Sequence, residues 1–574
     1  MMSGGSRTNP DYEGNGKRIP VDLSLAFHSD AGTTPNDSIV GTLAIYSLLA
    51  DGKTKFPDGE DRMQSRVLAD YVQTEVVRAV RTDYNPKWSR RQIWDRSYSE
   101  SRTTTVPAML LELLSHQNFA DMKYGLDPSF RFTVCRAVYK GILKFLSDRY
   151  GCPYAVQPLP VQSFQATFGS SPSGGASAKV TLSWKPTVDS LEKTAVPKGY
   201  LLYTRIDGGG FDMGKEVECM NLSGKRLGTE TTVDPGHVYD FKVVAFNDGG
   251  FSFPSETLSI GLPQEESKGP AGKAVMVVNN FDRVSAPAWF DTPEYAGFND
   301  DLDSGVPYMY GIEFIGRQLQ FKRDEVWLSD DSPGFGASDS DQAGKIIAGN
   351  TFDYPSIHGK ALIENGYPFY SVSNEAFVED LSCRSYAWMA DIICGKQATT
   401  PSGKGDKGKY TVFPAPFRKA VSDFTTHGGA VLVSGANIGT DVWDGVYQIR
   451  TDSLETEDAV SFVEKTFGYR WQTNDATKTG EVKAVTPVKG LDGPVRYRTE
   501  PNGEMYCVET ADAIVPASAD AETVIKYADT GISAGVAFEA AGYKSVSIGF
   551  PLETIQDRNQ LKILMGSIVD YLLR

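Results

Sequence analysis

VDLSLAFHSDAG, residues 21–32, is the stretch on which the reading of the N-terminal part turns. Its apolar run VDLSLAF follows Pro20 and gives way to His28-Ser29-Asp30, the pattern of a buried strand that delivers polar side chains at its end. A second strand, GTLAIYS (41–47), follows the turn-rich TTPNDS. Residues 61–82 then place Val67, Leu68, Tyr71, Val72, Val76 and Val77 at helical spacing and stop before Asn85-Pro86. VPAMLLELL (106–114) reads as another buried strand, and RFTVCRAVYKGILKFLSDRYG (131–151) as a helix halted by Gly151 and Pro153. The order strand, strand, helix, strand, helix predicts an α/β domain over residues 1–152.

Beyond it, the Pro-rich residues 153–162 read as a semi-rigid linker. AKVTLSWKP, PKGYLLYTRIDG, HVYDFKVVAFN and FSFPSETLSI are short strand-length runs between turn residues, which predicts an all-β sandwich over 163–262. These segments resemble a fibronectin type III module. The resemblance puts Trp184 at the family's core tryptophan, GYLLYTR on its central strand, and Tyr239 at the tyrosine corner, where its hydroxyl bonds backbone just upstream. A second linker, 263–272, leads into residues 273–574. There the strands in KAVMVVNNFDR (273–283) and SYAWMADIICG (385–395), and the helix, turn and strand of FRKAVSDFTTHGGAVLVSGANIG (417–439), predict an α/β domain with a parallel sheet. GGAVLVSG (428–435) and GFPLE (549–553) resemble motifs of the class I glutamine-amidotransferase-like fold. The expected protein is thus multidomain: a partial α/β domain, a sandwich and a second α/β domain.

Bulk properties narrow the function. A chain of 574 residues exceeds what a single growing core sustains. Lys and Arg total 57 against 73 Asp and Glu, a net charge of −16, which argues against nucleic acid and anionic lipid as partners. No apolar run reaches the roughly 18 residues of a membrane span, and MMSGGSRTNPDYEGNGKRIP lacks the features of a signal or transit peptide. The six cysteines contain no C-x-x-C pair, so neither a disulfide framework nor a cysteine zinc site is indicated.

The chemistry centres on His28 and Glu112. An imidazole at a strand mouth suits zinc, and a carboxylate on a neighbouring strand can act as general base on metal-bound water. On spacing alone a lone histidine after an apolar strand is more often structural than ligating, and a single Glu inside MLLELL reads as well as a paired strand-end charge. LSLAFHSDAG followed by GTLAIYS, together with VPAMLLEL followed by Asn118, resembles the zinc-dependent N-acetylmuramoyl-L-alanine amidase family over the later half of its domain. The resemblance implies that His28 is a zinc ligand and Glu112 the catalytic carboxylate. It further implies zinc as cofactor, peptidoglycan or another envelope glycan as partner, and a periplasmic or cell-surface location. In that family a first zinc histidine and a glutamate ligand lie upstream, yet residues 1–27 hold no other histidine and only Glu13 as a glutamate. Two expectations compete. Either a longer protein supplies the missing ligands and signal peptide upstream, or the domain is a degenerate binding module; an otherwise open sheet edge favours the first. As it stands, the chain is expected to be inactive or nearly so. The leading reading is a peptidoglycan hydrolase of the amidase type. The alternative is a secreted polysaccharide-processing or glycan-binding protein with a vestigial amidase domain.

The remaining motifs are weaker. The elbow-like VSGANIG (433–439) holds Ala436 and Asn437 where an active amidotransferase-like fold keeps a nucleophile, which points to a non-catalytic or ligand-binding domain. A Cys394–His427 pair is the other option. FNDDLDSG (298–305) and SDDSPGFGASDSDQ (329–342) lack the spacing of a calcium loop and read as solvated loops.

Overall fold

The structure, a computed structural model, describes residues 21–34, 37–312, 318–322, 342, 344–401, 408–443, 445–447, 453–488 and 493–574. Glu13 and the acidic stretch 329–341 lie outside these residues.

In chain order the N-terminal domain contains β1 (Ser24–Asp30), β2 (Leu43–Tyr46), α1 (Met63–Asp83), β3 (Trp94–Asp95), α2 (Ser99–Arg102), β4 (Ala108–Ser115), α3 (Phe119–Gly125) and α4 (Pro128–Tyr150). The sheet order is β1-β4-β2-β3, with β1 parallel and β2 antiparallel to β4. The first strand does not end before His28 as the apolar run implies. Pairing with β4 holds the backbone extended through His28 and on to Asp30. Leu68, Val72, Val76 and Val80 recur every fourth residue on α1, all buried, and with Met109, Leu111, Phe130 and Val134 they form the core under the sheet. Gly141 lets α4 cross α1 closely, since a Cβ there would lie 2.6 Å from Val72 Cα. Asp127 caps α4 by accepting the Ser129 N–H at 2.8 Å, and Gly151 ends the helix in the left-handed region. Among the described residues β1 has β4 as its only strand neighbour, and Phe27 on it is 49% exposed.

The sandwich comprises β5 (Gln162–Phe168), β6 (Ala178–Lys185), β7 (Gly199–Ile206), β8 (Leu227–Val233), β9 (Val238–Asn247) and β10 (Leu258–Gly261). Trp184 is fully buried with Tyr200 against it, ring centroids 5.2 Å apart. The Tyr239 hydroxyl accepts the Asp234 N–H at 3.3 Å, as the tyrosine-corner reading expects. The 153–162 segment is tied down, Arg136 donating to Gln157 O and Asn247 to Val156 O, both at 2.9 Å. Nearby, half-buried Asp189 accepts from Arg136 at 2.9 Å and Lys140 at 2.7 Å, joining α4 to the sandwich.

The C-terminal domain is built on β11 (Ala274–Asn279), α5 (Tyr354–Glu364), β12 (Phe369–Ser373), β13 (Ala387–Gly395), α6 (Ala415–Thr426), β14 (Ala430–Gly435), β15 (Ala521–Tyr527), β16 (Ser533–Ala540), β17 (Tyr543–Ile548) and α7 (Arg558–Leu573). Strands β12, β11, β13, β14 and β17 pair in parallel in that order, and β16 and β15 extend the sheet antiparallel. Val275 to Val278 are all fully buried, the composition of a parallel strand covered on both faces. Pairing crosses the 263–272 segment: both β10 and β5 run antiparallel to β12, with Ile260 opposite Tyr370 and Ala166 opposite Ser371. Sandwich and parallel sheet are therefore joined by strand hydrogen bonds as well as by the chain. Among the described residues no helix is long and apolar enough to cross a membrane.

Candidate active site

The register of β1 on β4 sets His28 directly opposite Glu112. Directly paired residues of neighbouring strands project to the same face, so the two side chains share one surface of the sheet. Leu43 of β2 is Glu112's partner on the other side. His28 is half-exposed and its Nε2 lies 2.8 Å from Oε1 of Glu100, carried by the short helix α2. Asp30, one pleat further along β1, is ion-paired with Arg91 at 2.5 Å, and the Arg91 guanidinium lies over the Trp94 ring at 5.3 Å. His116, just beyond β4, is 3.1 Å from the Ser29 hydroxyl through Nδ1.

Glu112 is half-buried, and its Oε2 is shielded from solvent with no hydrogen-bond partner among the described residues. Burial pushes its carboxyl above the ordinary range and the charge of Asp30 adds to this, while His28 and Arg91 pull it back. A carboxylate so placed is a competent proton acceptor nearer neutrality than an exposed glutamate.

The loop ahead of β2 is fastened by Asp121 of α3, which is fully buried. It accepts the backbone N–H of Val40 at 2.8 Å, that of Gly41 at 3.0 Å and the Asn118 amide at 2.5 Å. Asn118 also donates to Ser38 O at 2.9 Å, so the residue that closes the amidase-like motif holds this loop.

A catalytic zinc takes three protein ligands. Among the described residues no three His, Cys, Asp or Glu side chains converge to hold a metal. The His28 Nε2 faces Glu100, and Asp30 is held by Arg91. The described residues thus supply a histidine and a desolvated carboxylate but do not by themselves fit a zinc centre. Glu100, Arg91 and Asp121 escaped the sequence reading. Arg91 and Glu100 sit in polar, aperiodic stretches, whereas Asp30 stood in the FHSDAG motif.

In the C-terminal domain the Cys394–His427 pair does not form. Cys394 lies at the carboxyl end of β13 beside Gly435, whereas His427 precedes β14, whose first residue Ala430 is level with Met389 near the start of β13. The Cys394 thiol is buried, which pushes it up to about 12. The histidine that the domain does bury is His358 on α5, with Nδ1 2.7 Å from Asp391 and Nε2 3.4 Å from Glu553 of the GFPLE loop, to which Tyr506 donates at 2.6 Å. All of this cluster is enclosed, so it locks helix, strand and loop together. The solvated reading of 298–305 also needs correction at Asp303, which is buried and paired with Arg283 and with Lys396. An internal cation pair outweighs the polar look of that loop.

Residues 15–144 match the family described as N-acetylmuramoyl-L-alanine amidase, Amidase_3. No curated protein matches the chain. Among solved structures, the chain is similar to the N-acetylmuramoyl-L-alanine amidase from Clostridium difficile 630, at 19% identity over 22% of this chain and 59% of that one, with a TM-score of 0.18. It is also similar to the catalytic domain of CwlV, an N-acetylmuramoyl-L-alanine amidase from Bacillus (Paenibacillus) polymyxa var. colistinus, at 21% identity over 22% of this chain and 58% of that one, TM-score 0.17. The fibronectin type-III domain of human fibronectin type III domain containing protein 3 aligns at 22% identity over 19% of this chain and 89% of that one, TM-score 0.13. This chain therefore spans 59% and 58% of the length of the two amidase structures. The match to the amidase family model is confined to residues 15–144 of the 574-residue chain.

Proposed function

We propose that the protein acts on peptidoglycan in the cell envelope, its N-terminal domain engaging the amide between N-acetylmuramic acid and the L-alanine of the stem peptide. The observation that carries this reading is the in-register pairing of His28 with Glu112 inside the amidase-family segment. On this reading Glu112 is the carboxylate that takes and returns the proton during amide cleavage, and its desolvated, raised carboxyl suits that role. Arg91 and Asp30 tune its charge. Zinc, which the resemblance implies, would draw on His28, and the described residues offer it no second and third ligand. The sandwich and the amidotransferase-like domain, joined strand to strand, form the larger body that presents this domain to the polymer.

The test is incubation of the purified chain, with and without added zinc, with peptidoglycan sacculi, followed by chromatography and mass spectrometry of released stem peptides. Release of peptides with a free L-alanine amine, lost for Glu112→Gln, would establish cleavage by this chain and overturn the expectation that it is inactive or nearly so. Sacculi left intact while the chain sediments with them would instead favour the second reading, a glycan-binding protein with a vestigial amidase domain. The contact between His28 Nε2 and Glu100 supports that alternative, since it engages one of the two imidazole nitrogens open to a metal.

A further inference from the structure

A cleft of about 1180 Å³ opens where the three parts of the chain meet, lined by Phe132 of α4, by Lys242 and Phe253 of the sandwich, and by Tyr308 and Phe352 of the C-terminal domain. None of His28, Glu100 and Glu112 lines it. Its wall is a run of aromatic rings: Phe132 to Phe253 at 5.3 Å between centroids, Phe253 to Tyr308 at 5.7 Å with planes 18° apart, and Tyr308 to Phe352 at 5.6 Å. Phe253 is 50% exposed and Tyr308 37% exposed, so large ring faces are left in contact with water.

The wall is built at a conformational cost. Met309 and Phe352 both sit in the left-handed region, φ 56° and 57°, which bulky side chains avoid. Buried Asn350 holds them there. Its carbonyl accepts the Met309 N–H, its side-chain oxygen accepts the Phe352 N–H, and its amide donates to Phe281 O, each at 2.9 Å. Strain maintained by a closed hydrogen-bond set points to a shape that is used.

Charge adds direction. In a chain of net charge −16, Lys242 and Lys409 line the cleft, and neither is ion-paired among the described residues. Lys242 Nζ lies 4.0 Å from the Phe211 ring centroid and Lys409 Nζ 5.6 Å from that of Tyr84. Of the carboxylates in the lining, Asp353 is met by Arg205 at 3.4 Å. Burial and the facing Glu375 push the carboxyl of Glu256 well above its ordinary range, and Asn279 donates to it at 2.5 Å. Asp83 remains exposed. Ring faces beside unpaired ammonium groups fit a ligand that alternates flat, partly apolar rings with anionic groups.

We propose that this cleft binds peptidoglycan glycan strands already stripped of their stem peptides, sugar rings lying on Phe253 and Tyr308 and lactyl carboxylates meeting Lys242 and Lys409. The choice of polymer rests on the function proposed above. Hydrolysis of the lactyl–alanine amide breaks the C–N bond, puts the hydroxyl of water on the acyl carbon and leaves an amine on the peptide. Each cut thus turns a neutral amide on the glycan into a carboxylate, which is the feature the two lysines recognise. The reaction class that supplies the ligand is amide hydrolysis, whether by this chain or by another hydrolase of that class, so no turnover by this chain is needed.

The experiment is calorimetric titration of the full chain with soluble, ready-stripped glycan oligomers. Parallel titrations use the same oligomers with lactyl carboxylates capped as methylamides, chito-oligosaccharides, and a hexuronate oligomer. Stripped strands are expected to bind, with capping and the double variant Lys242→Gln/Lys409→Gln each weakening affinity by about tenfold, the scale of a lost charge-assisted contact. Phe253→Ala is expected to weaken stripped and capped strands alike. Absence of binding by the unaltered chain, equal binding of capped and uncapped strands, or equal binding of the hexuronate overturns the proposal. If the double variant loses its circular dichroism signature, the capped ligand on the unaltered chain decides the charge question. Because the glycan is supplied already cleaved, failure here is distinct from failure to release stem peptides.

Discussion

Replacing Asp121 by alanine tests whether the site depends on one buried carboxylate. The side chain is fully buried and accepts from Val40 N–H, Gly41 N–H and the Asn118 amide, with a longer contact to Ser115 N–H at 3.5 Å. Truncation strands the first three donors at about 1–3 kcal/mol each. Part of that is returned, because burial pushes the Asp121 carboxyl up despite its hydrogen bonds, so the ion carries a desolvation cost the alanine lacks. The net loss is about 3 kcal/mol, or a fall of about 6–12 °C in the melting of the N-terminal domain. The native course of the loop requires glycine at 41, which has φ 78° and where a Cβ would sit 2.4 Å from Ser89 O. Leu43, two residues on, is the strand partner of Glu112, so the loosened loop also uncovers one flank of the site. Thermal melts combined with hydrogen exchange of the Val40 and Gly41 amides would read both effects. Asp121→Asn, which keeps one acceptor oxygen, is expected to cost about 1 kcal/mol. A loss below about 1 kcal/mol for the alanine variant, or equal losses for both, would refute the reasoning.

Three further outcomes are expected. Asp30→Asn removes a charge that raises the Glu112 carboxyl, so its titration, followed by carboxyl-carbon NMR, should move to lower pH; a move to higher pH would mean that freeing Arg91 is not felt at Glu112. In the native protein, Ellman's reagent should react with exposed Cys152 and more slowly with Cys135, whose thiol desolvation pushes up, while Cys394, buried and pushed up to about 12, should react only after unfolding. His358→Leu strands Asp391 and Glu553 without their cation and should destabilise the C-terminal domain by about 3–5 kcal/mol in urea titrations. The pH dependence follows from the sign. Burial opposes the charge of His358, but Asp391 and Glu553 win and push it up to about 10. Its contribution is therefore complete below its ordinary value near 6.5 and is lost as pH climbs through about 10, a loss the leucine variant should not show.

What could be read in advance follows a physical division. Val275 to Val278 and Met109 to Leu111 are continuous apolar runs, and a run buried on both faces has one plausible structure, so the strands of both α/β domains were legible. Trp184 and Tyr239 were legible through the resemblance of their segments to a fibronectin type III module, which implies a core tryptophan and a tyrosine corner at these positions. Strand-to-strand union of sandwich and parallel sheet was not, since the pairing of Ile260 with Tyr370 joins residues far apart in the chain through backbone groups that every residue carries. Asp303 misled for a related reason: its neighbours look solvated, while its cations Arg283 and Lys396 arrive from other loops.

The same division governs the candidate site. His28 closes an apolar run and Glu112 interrupts one, and their common face follows from strand register, a property written in period two. Glu100 is invisible by that route, because it sits on a four-residue helix with no periodic pattern. Yet Glu100 changes the chemistry most. Without it, His28 would be a ligand short of its companions; with it, the imidazole already has a carboxylate partner at 2.8 Å. A metal at Nε2 of His28 must displace that contact, whereas one at Nδ1 would leave Glu100 holding the ring, so the Glu100 variant reports on which nitrogen a metal uses. Glu100→Gln removes the competing charge while keeping the size of the side chain. It should raise zinc uptake by the chain in equilibrium dialysis if Glu100 opposes the metal, and lower it if Glu100 serves as a ligand.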